Sequence, residues 1–474
     1  GTSSARVYNT EYAAHVLGRL SPIYQEDWVG DPDNGIVGYR DKGYSMDALV
    51  GESGVEKAFE EYLHGENGTK LITTTSDGQI TGEFYTKEPK PGNTVALTLD
   101  IDLQEDVEKA LSKTIGDMTE KDGIRRGGAA VVVGVGSGEV LALASYPTYD
   151  ISKWDEIYDT LASDDKGAPL FNRAIGGTYA PGSTFKPCTA IAGLTEKTIS
   201  TSTRIKCTGV YTKYAAQGYA PQCWIYASHL THGSDNVTEA LRDSCNIFFY
   251  TVGNNLGIDK LEKYARQFGL GESTGIELYE ETGNMSNRAN HYEYAGTEWV
   301  VGDTLQAAIG QADSIFTPLQ LAEYCAAIAN NGQRHSASIL KEARSYDYSE
   351  KIVQRTEEVL STVKTEDYNW NAVHKGMELV AKHPDGSAYA TFYNYGASTV
   401  ACKTGTAQKG ENITNDGIFI CFAPVEDPEI AIAVVIERGQ SGSRCAPVAR
   451  SILETYFSIK SASDVTETEG SLLK

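Results

Sequence analysis

Two stretches of the chain are apolar without interruption over the length of a strand, Gly127–Val135 and Ile430–Ile436, and both read as buried strands. Thr94–Leu99 alternates apolar residues with threonine, as a strand does, and Gly127–Ala144 divides into two strands around the turn Gly136-Ser-Gly138. Helical spacing governs Leu103–Ile115, Ser183–Glu196, Val237–Arg242, Lys260–Phe268 and Pro318–Asn331. Strands return at Val400–Thr406, Gly417–Ala423 and Glu429–Glu437. Two early strands, a mostly helical middle and three late strands predict an α+β fold, an α/β/α sandwich. Its antiparallel sheet is flanked by helices and the two ends of this region lie adjacent in it. Ahead of it, Arg6–Tyr85 is polar and glycine-punctuated, with one predicted helix at Gly54–His64. The cluster Thr86-Lys-Glu-Pro-Lys-Pro-Gly-Asn93 reads as a boundary and divides the chain into domains 1–90 and 91–474. The polar, acidic tail from Ser461 is expected to fray. There is no internal repeat and no low-complexity tract.

Composition narrows the picture only a little. With 474 residues, 41% hydrophobic and 22% charged, the chain is long enough for two domains and ordinary for a globular protein. A net charge of −23 argues against nucleic acid or an anionic membrane surface as partner. No apolar run approaches the ~18 residues of a membrane span, and Gly1-Thr-Ser-Ser4 does not open a signal peptide. Either the protein is cytoplasmic or its targeting region has been trimmed away. Eight cysteines in so long a chain are not a disulfide scaffold, and Cys188, Cys325 and Cys421 sit in apolar stretches as small core residues.

Three short motifs carry the chemistry. Ala180-Pro-Gly-Ser-Thr-Phe-Lys-Pro187 places Pro-Gly before an apolar helical run, which marks a helix start. Ser183 and Lys186 are three apart, so a helix puts them on one face with Cβ atoms about 5–6 Å apart. A serine hydroxyl needs a base in reach to become a nucleophile. A lysine serves once burial and neighbouring cations depress its pKa. Pro187 falls in the first turn, where a missing amide costs little. Taken alone, the same spacing describes a capping serine and a solvated lysine. Ser244-Cys-Asn246 offers a hydroxyl and an amide in a short turn, able to relay protons and hold a substrate amide, though such a tripeptide often arises by chance. Val400-Ala-Cys-Lys403-Thr-Gly-Thr406-Ala407 lies in a strand pattern. Gly405 admits the close approach of another backbone, such as a peptide along the edge. Lys403, Thr404 and Thr406 offer a cation and two hydroxyls to a carboxylate. The amides of Thr406 and Ser183 together suit an oxyanion hole.

Ser-x-x-Lys, Ser-x-Asn and Lys-Thr-Gly in this order form the set described for serine β-lactamases and penicillin-binding proteins. The likeness extends to Gly182-Ser-Thr-Phe-Lys-Pro187, Ala307-Ala-Ile-Gly-Gln311, Thr317-Pro-Leu-Gln-Leu321, Ala327-Ile-Ala-Asn-Asn-Gly332 and Gly376-Met377. Gly51-Glu-Ser-Gly-Val-Glu-Lys57 and Thr98-Leu-Asp-Ile-Asp-Leu-Gln104 resemble the N-terminal pedestal and the opening of a transpeptidase domain. Over nearly its whole length the chain resembles class B penicillin-binding proteins of the elongation or sporulation type. The resemblance implies the serine β-lactamase/transpeptidase fold behind an N-terminal pedestal, a dimerisation-like domain at 1–90, and a peptidoglycan D,D-transpeptidase activity. By motif, Ser183 would be acylated by the D-Ala-D-Ala end of a peptidoglycan stem peptide, with Lys186 as base. Ser244 and Asn246 would complete the proton path and grip the peptide, and Lys403, Thr404, Gly405 and Thr406 would bind its terminal carboxylate. It further implies β-lactams as inhibitors and a membrane glycosyltransferase as partner. It also implies a location on the outer face of the cytoplasmic membrane, through an N-terminal helix of ~20 residues ahead of Gly1. Cys402 stands where the family usually has glycine, and a cysteine there is expected to narrow the approach to the strand without undoing the site.

Cys207, Cys223, His232 and Cys245 fall within 39 residues and offer three thiols and an imidazole, a set suited to a closed tetrahedral zinc site. The spacing has no Cys-x-x-Cys knuckle, His229 competes as a ligand, and disulfide-paired cysteines with a surface histidine remain an alternative. Some members of the resembled family hold zinc at matching places, the last between the Ser and Asn of the second motif. That implies structural zinc here. A β-lactamase or a β-lactam sensor on the same fold is the competing function; the former needs a deacylating base, for which Glu280 and Glu281 offer themselves only by lying in a loop-like region.

Overall fold

The computed structural model describes residues 6–31, 34–410 and 413–470, with 463–470 described by backbone alone. It divides into two compact units: Gly1–Thr98 with Asp150–Trp154 and Ser338–Thr356, and Leu99–Tyr149 with Asp155–Ala337 and Glu357–Lys474.

The first unit is built mostly of small ladders. Leu20–Pro22 pairs with Leu49–Gly51, Gly30–Asp31 with Ile36–Val37, and Thr69–Thr74 with Ile80–Lys87, all antiparallel. A three-stranded sheet follows the order Lys351–Gln354, Leu340–Arg344, Thr94–Leu97. Of these strands the sequence announced only the one at Thr94–Leu99, because strands exposed on both faces, as Thr69–Thr74 is throughout, carry no alternation of burial to betray them. The helix expected over Gly54–His64 is two short ones, Gly54–Ala58 and Glu60–Leu63, broken at Phe59, whose φ is −114° and ψ 20°. A boundary at residue 90 does not foresee the two later segments that rejoin this unit.

The second unit is the expected sandwich. Its sheet comprises β1 (Gly128–Gly134), β2 (Val140–Tyr146), β3 (Ala401–Ala407), β4 (Asp416–Ala423) and β5 (Ile430–Ile436), ordered β3-β4-β5-β1-β2 and antiparallel throughout. Every residue of β1, β4 and β5 is buried. Antiparallel strands usually alternate; these are continuously apolar because helices cover both faces. On one face lie α1 (Ile101–Asp122) and α7 (Ala446–Gly470), where Leu103, Val107, Leu111 and Ile115 meet Val132, Phe419, Ile432 and Val434. The backbone of α7 stays helical through Gly470, so the tail expected to fray from Ser461 continues the helix; residues 471–474 lie outside the described ones. On the other face lies α5 (Pro318–Ala329), mostly apolar and buried along its whole length, Gln320 and Glu323 included. Its start is set by Thr317, which caps the amide of Gln320 and is capped in return, with Pro318 in the first turn.

Three further helices carry or brace the motifs: α2 (Lys186–Thr195), α3 (Val237–Arg242) and α4 (Asn246–Leu256), with α6 (Asp367–Lys382) packed on α3 and β3. The α3–α6 crossing is close because Gly376 has no side chain: a Cβ there would stand 2.8 Å from Leu241 Cβ and 3.0 Å from Thr238 O. Helix propensity alone would reward any other residue except proline at this position. Gly376→Val is therefore expected to destabilise the protein by about 1–3 kcal/mol through overpacking, read as a lower midpoint in thermal unfolding. An unchanged or raised midpoint would show that the crossing does not need the glycine.

Candidate active site

Ser183 does not begin an α-helix. It lies in a single 3-10 turn, Gly182–Phe185, that feeds into α2 at Lys186. Gly182 has φ +52°, and a Cβ on it would stand 2.5 Å from Thr406 O. On the facing strand β3, a Cβ on Gly405 would stand 2.5 Å from Pro181 O. Two glycines thus let the turn that carries Ser183 lie directly on the strand. The backbone that Gly405 admits is this chain's own. Behind the turn, Gly182 N donates to Gly310 O at 2.8 Å. The fully buried Tyr324 accepts from Cys188 N at 2.9 Å and donates to Thr184 O at 3.1 Å, fixing the turn to α5.

Lys186 is completely buried, and its Nζ donates to Ser244 O at 2.7 Å and Asn246 Oδ1 at 2.7 Å, with Ser244 Oγ at 3.0 Å. Phe249 lies 5.6 Å away as an aromatic face. From the other side Lys403, equally buried, brings Nζ to 3.0 Å from the same Ser244 Oγ and 3.1 Å from Thr404 O. Ser244 reaches this place because its backbone is left-handed, φ +55°, at the centre of the three-residue joint between α3 and α4. Burial pulls the Lys186 amine down to about 8, against a smaller opposing pull from nearby Cys223 and Cys245. Burial first and the Lys186 charge second hold Lys403 well below the ordinary lysine range. Lys186, Ser244, Asn246 and Lys403 therefore form one hydrogen-bonded cluster, and Ser183 lies three residues before Lys186 on a turn clasped to β3.

Strand β3 is the sheet's edge, so its outer side is open. Thr404 and Thr406 are half-buried there, and Thr404 Oγ1 meets Ser387 Oγ at 2.6 Å. Thr406 O accepts from Gln311 Nε2 at 3.0 Å. Lys403 lies beneath this edge rather than on it. Cys402 points the other way, into the core among Val380, Phe419 and Cys421, so it narrows nothing at the site.

Cys207, Cys223, His232 and Cys245 converge with their ligand atoms all within 4.8 Å of one another. The thiols are free and buried, so no disulfide joins them. Cys223 Sγ lies 3.5 Å from His232 Nδ1 and accepts from Asn246 N at 3.3 Å, while His232 Nε2 is buried without a hydrogen-bond partner. His229 stays outside the group, its ring against Tyr226. One half-buried imidazole among three free thiols, its Nδ1 toward Cys223 Sγ, is a donor set that a tetrahedral, thiophilic cation fits.

Residues 128–454 match the family described as the penicillin-binding protein transpeptidase domain, and residues 1–97 match the penicillin-binding protein dimerisation domain. This chain belongs to the penicillin-binding protein transpeptidases. A peptidoglycan D,D-transpeptidase, MrdA of Salmonella typhimurium, is 32% identical across 94% of this chain and 71% of its own length. The chain spans about two thirds of the length of the curated relatives it matches. Among solved structures, Pseudomonas aeruginosa PBP2 in complex with WCK 5153 is 29% identical with a TM-score of 0.75, covering 94% of this chain and 90% of its own. A peptidoglycan synthase complex that coordinates polymerization and crosslinking is 30% identical with a TM-score of 0.77, covering 89% and 72%.

Within this penicillin-binding protein, the structure gives work to residues whose sequence signal said nothing of role. Gln311 and Gly310 belong to a quoted motif, but only the fold shows them against Thr406 and Gly182. Ser387 and Tyr324 had no signal at all. Glu280, by contrast, is spent on its own loop, its carboxylate accepting from Ser273 Oγ, Thr274 N and Thr274 Oγ1, each at 2.8 Å. It braces the loop and is not free to serve as a deacylating base.

The buried amine at Lys186 makes stability depend on pH in a defined direction. Below about 8 the amine is charged folded and unfolded, and the cost of burying that charge is fully present. Between about 8 and the unfolded value of 10.5, the folded chain has released a proton that the unfolded chain keeps, so stability rises with pH. Relative to Lys186→Met, the native chain should gain on the order of 3 kcal/mol across that interval. Unfolding midpoints in urea at pH 7.5, 9 and 10.5 check this, and parallel curves for the two proteins would contradict it.

Proposed function

We propose that the chain cross-links peptidoglycan stem peptides through an acyl-enzyme on Ser183, and that β-lactams acylate the same hydroxyl. The observation that carries this reading is the single buried cluster in which Ser244 Oγ stands 3.0 Å from both Lys186 and Lys403, one turn from Ser183. Lys186 in its neutral form takes the Ser183 proton as the hydroxyl attacks the penultimate D-Ala carbonyl; the bond to the terminal D-Ala breaks and that amine leaves with a proton. Ser244 carries protons between Lys186 and the leaving or entering amine, and Asn246 holds both Lys186 and the peptide. The amides of Ser183 and Thr406 receive the oxyanion. Thr406 O is turned off the ladder toward Gln311, and a strand residue's amide points to the same side as its carbonyl. Thr404 and Thr406 donate to the terminal carboxylate, Gly405 keeps the edge close, and Lys403 supplies positive charge from below. An acceptor amine on a second stem peptide then reverses the sequence.

The outer face of the cytoplasmic membrane, where this substrate lies, is the location we propose; none of the described helices is long and apolar enough to cross a membrane. A glycosyltransferase that polymerises glycan is the partner we propose, by likeness to the complex that couples polymerization to crosslinking. Zinc is proposed as the occupant of Cys207, Cys223, His232 and Cys245, with four protein ligands and so no open position for substrate. Its part is structural: it ties the Ser244–Asn246 joint to the segment bearing Cys207 and Cys223.

A fluorescent penicillin should label the protein stoichiometrically at Ser183, with none on Ser183→Ala. Lys186→Ala should slow acylation by about 10²–10⁴-fold, the usual worth of general-base help. Intact-mass spectrometry finding an adduct on Ser183→Ala, or rapid turnover of nitrocefin in place of a stable adduct, would refute the assignment.

Elemental analysis should find about one zinc per chain, lowered by Cys245→Ser or His232→Ala and untouched by His229→Ala. Chelation should lower the thermal midpoint, more readily at acidic pH as thiolates protonate. A metal-free preparation of full thermal stability would return the four residues to an ordinary buried cluster.

A further inference from the structure

Behind the Ser183 turn runs the segment Gly310–Phe316, whose middle, Ala312–Asp313, has no part in the acyl-transfer reading. Its two ends grip the nucleophile turn. Gly310 O accepts from Gly182 N at 2.8 Å, and Phe316 and Tyr179 exchange backbone hydrogen bonds of 2.9 Å. Between these ends Gln311 reaches across to Thr406 O at 3.0 Å. One segment therefore sets the position of both amides proposed for the oxyanion.

The middle of the segment is bent. Ala312 has φ +60°, a left-handed conformation that a residue with a side chain holds only when its surroundings impose it. Downstream, Ile315 and Asn284 exchange backbone hydrogen bonds of 2.9 and 2.7 Å, and Asn284 Nδ2 donates to Asp313 O at 2.8 Å. On the bend itself, the Asp313 carboxylate meets His291 Nδ1 at 2.5 Å. His291 is buried, with its other nitrogen 3.6 Å from the Asp303 carboxylate and 3.4 Å from Thr297 Oγ1 and its ring edge-on to Trp299. The Asp313 hydrogen bond raises the pKa of the imidazole; burial opposes this, and the charges of Asp313, Asp303 and Glu298 add to it. Asp303 is itself tied to its helix start, accepting from Val300 N at 2.8 Å. His291 is thus a hydrogen-bonded pin between a fixed helix end and the bend.

We propose that His291 is a positioning residue for acylation at Ser183: through Asp313 it holds the Ala312–Asp313 bend and so keeps Gly310 against Gly182 and Gln311 against Thr406. The inference rests on the acyl-transfer reading. Losing the pin leaves a half-buried carboxylate unpaired and frees the bend to relax, moving the Ser183 amide relative to that of Thr406 while β3 and its carboxylate-binding side chains stay in place. The limiting rate should therefore fall more than substrate binding does, because a displacement near 1 Å costs up to about 10²-fold in rate.

Stopped-flow acylation by a chromogenic β-lactam separates the limiting rate from half-saturation. For His291→Phe the limiting rate should drop between about 10- and 100-fold with half-saturation little changed. His291→Gln, whose side-chain amide can still donate to Asp313, should recover most of the rate. Asp313→Asn should lose rate on its own, and adding it to His291→Phe should cost little more, since paired residues are not additive. A folded His291→Phe acylated at the native rate overturns the inference. Should that variant not fold, Asp313→Asn at the native rate overturns it equally. A wild-type chain that is never acylated at Ser183 removes the acyl-transfer reading and this inference with it, whereas acylated wild-type beside indifferent variants removes the inference alone.

Discussion

The site depends on one hydroxyl held between two buried amines. Ser244 Oγ is 3.0 Å from Lys186 Nζ and 3.0 Å from Lys403 Nζ, so the two nitrogens are no more than about 6 Å apart. Two full charges at that separation repel by about 3 kcal/mol at an effective dielectric of 20, before the cost of removing either from water. The partners of Lys186 are a backbone carbonyl, an amide oxygen and the hydroxyl, none of them charged. Such a pair sheds a proton more easily than any exposed lysine, and shedding it is what turns an amine into a base. Two of Lys186's contacts are to oxygens that only accept, which fixes the direction of two N–H bonds. The third contact is to a hydroxyl that either donates or accepts, so the amine keeps its geometry on losing the proton.

The rest of the unit serves to keep that place dry and narrow. A sheet covered on both faces supplies an edge strand that is rigid on its inner side and open on its outer one. Gly182, Gly310 and Gly405 then remove the side chains that would hold the nucleophile turn away from that edge, each at a contact under 3 Å for an added Cβ. Gly182 and Gly310 also take positive φ, at +52° and +75°, so two separate constraints fall on the same residues. The glycines of the site are there for contact as much as for conformation. Tyr324 closes the arrangement from α5, joining the buried helix to the turn that a purely apolar contact would let slide.

Much of this was legible in the sequence because burial leaves a pattern. Strands buried on both faces appear as apolar runs, capped helices announce themselves, and a serine, a lysine and a second lysine in a fixed order of motifs point to one reaction. The 3-10 turn at Ser183 was not legible: Pro-Gly and an apolar run describe an α-helical start equally well, and only the approach of Thr406 to Gly182 decides between them. The ladders of the first unit were hidden because exposed strands have no burial to alternate. Cys402 looked like an intrusion into the site, since a sequence cannot say which way a strand residue faces; pairing with Cys421 turns it into the core. His291 and Asp313 are 22 residues apart in no motif, and nothing short of the fold joins them.

The second motif shows how tightly chemistry and scaffold are interleaved. Within three residues, Ser244 contacts both amines, Cys245 joins the thiol cluster, and Asn246 gives its side-chain oxygen to Lys186 and its backbone amide to Cys223 Sγ. Ser244 holds a left-handed backbone, which a non-glycine residue adopts only under constraint from both sides. On one side that constraint is the turn of α3, whose Ala240 O accepts from Cys245 N at 3.0 Å. On the other it is the cluster, which fixes Cys245 and the start of α4. A cation bound there would have no route to the substrate and yet would govern the angle at which a serine and an asparagine meet a lysine. Chemistry placed on a strained joint needs that joint locked independently of the substrate, because binding energy used to straighten it would not be available to the transition state. The thiols bear directly on that joint, since Cys245 is one of them and Cys223 Sγ accepts from Asn246 N.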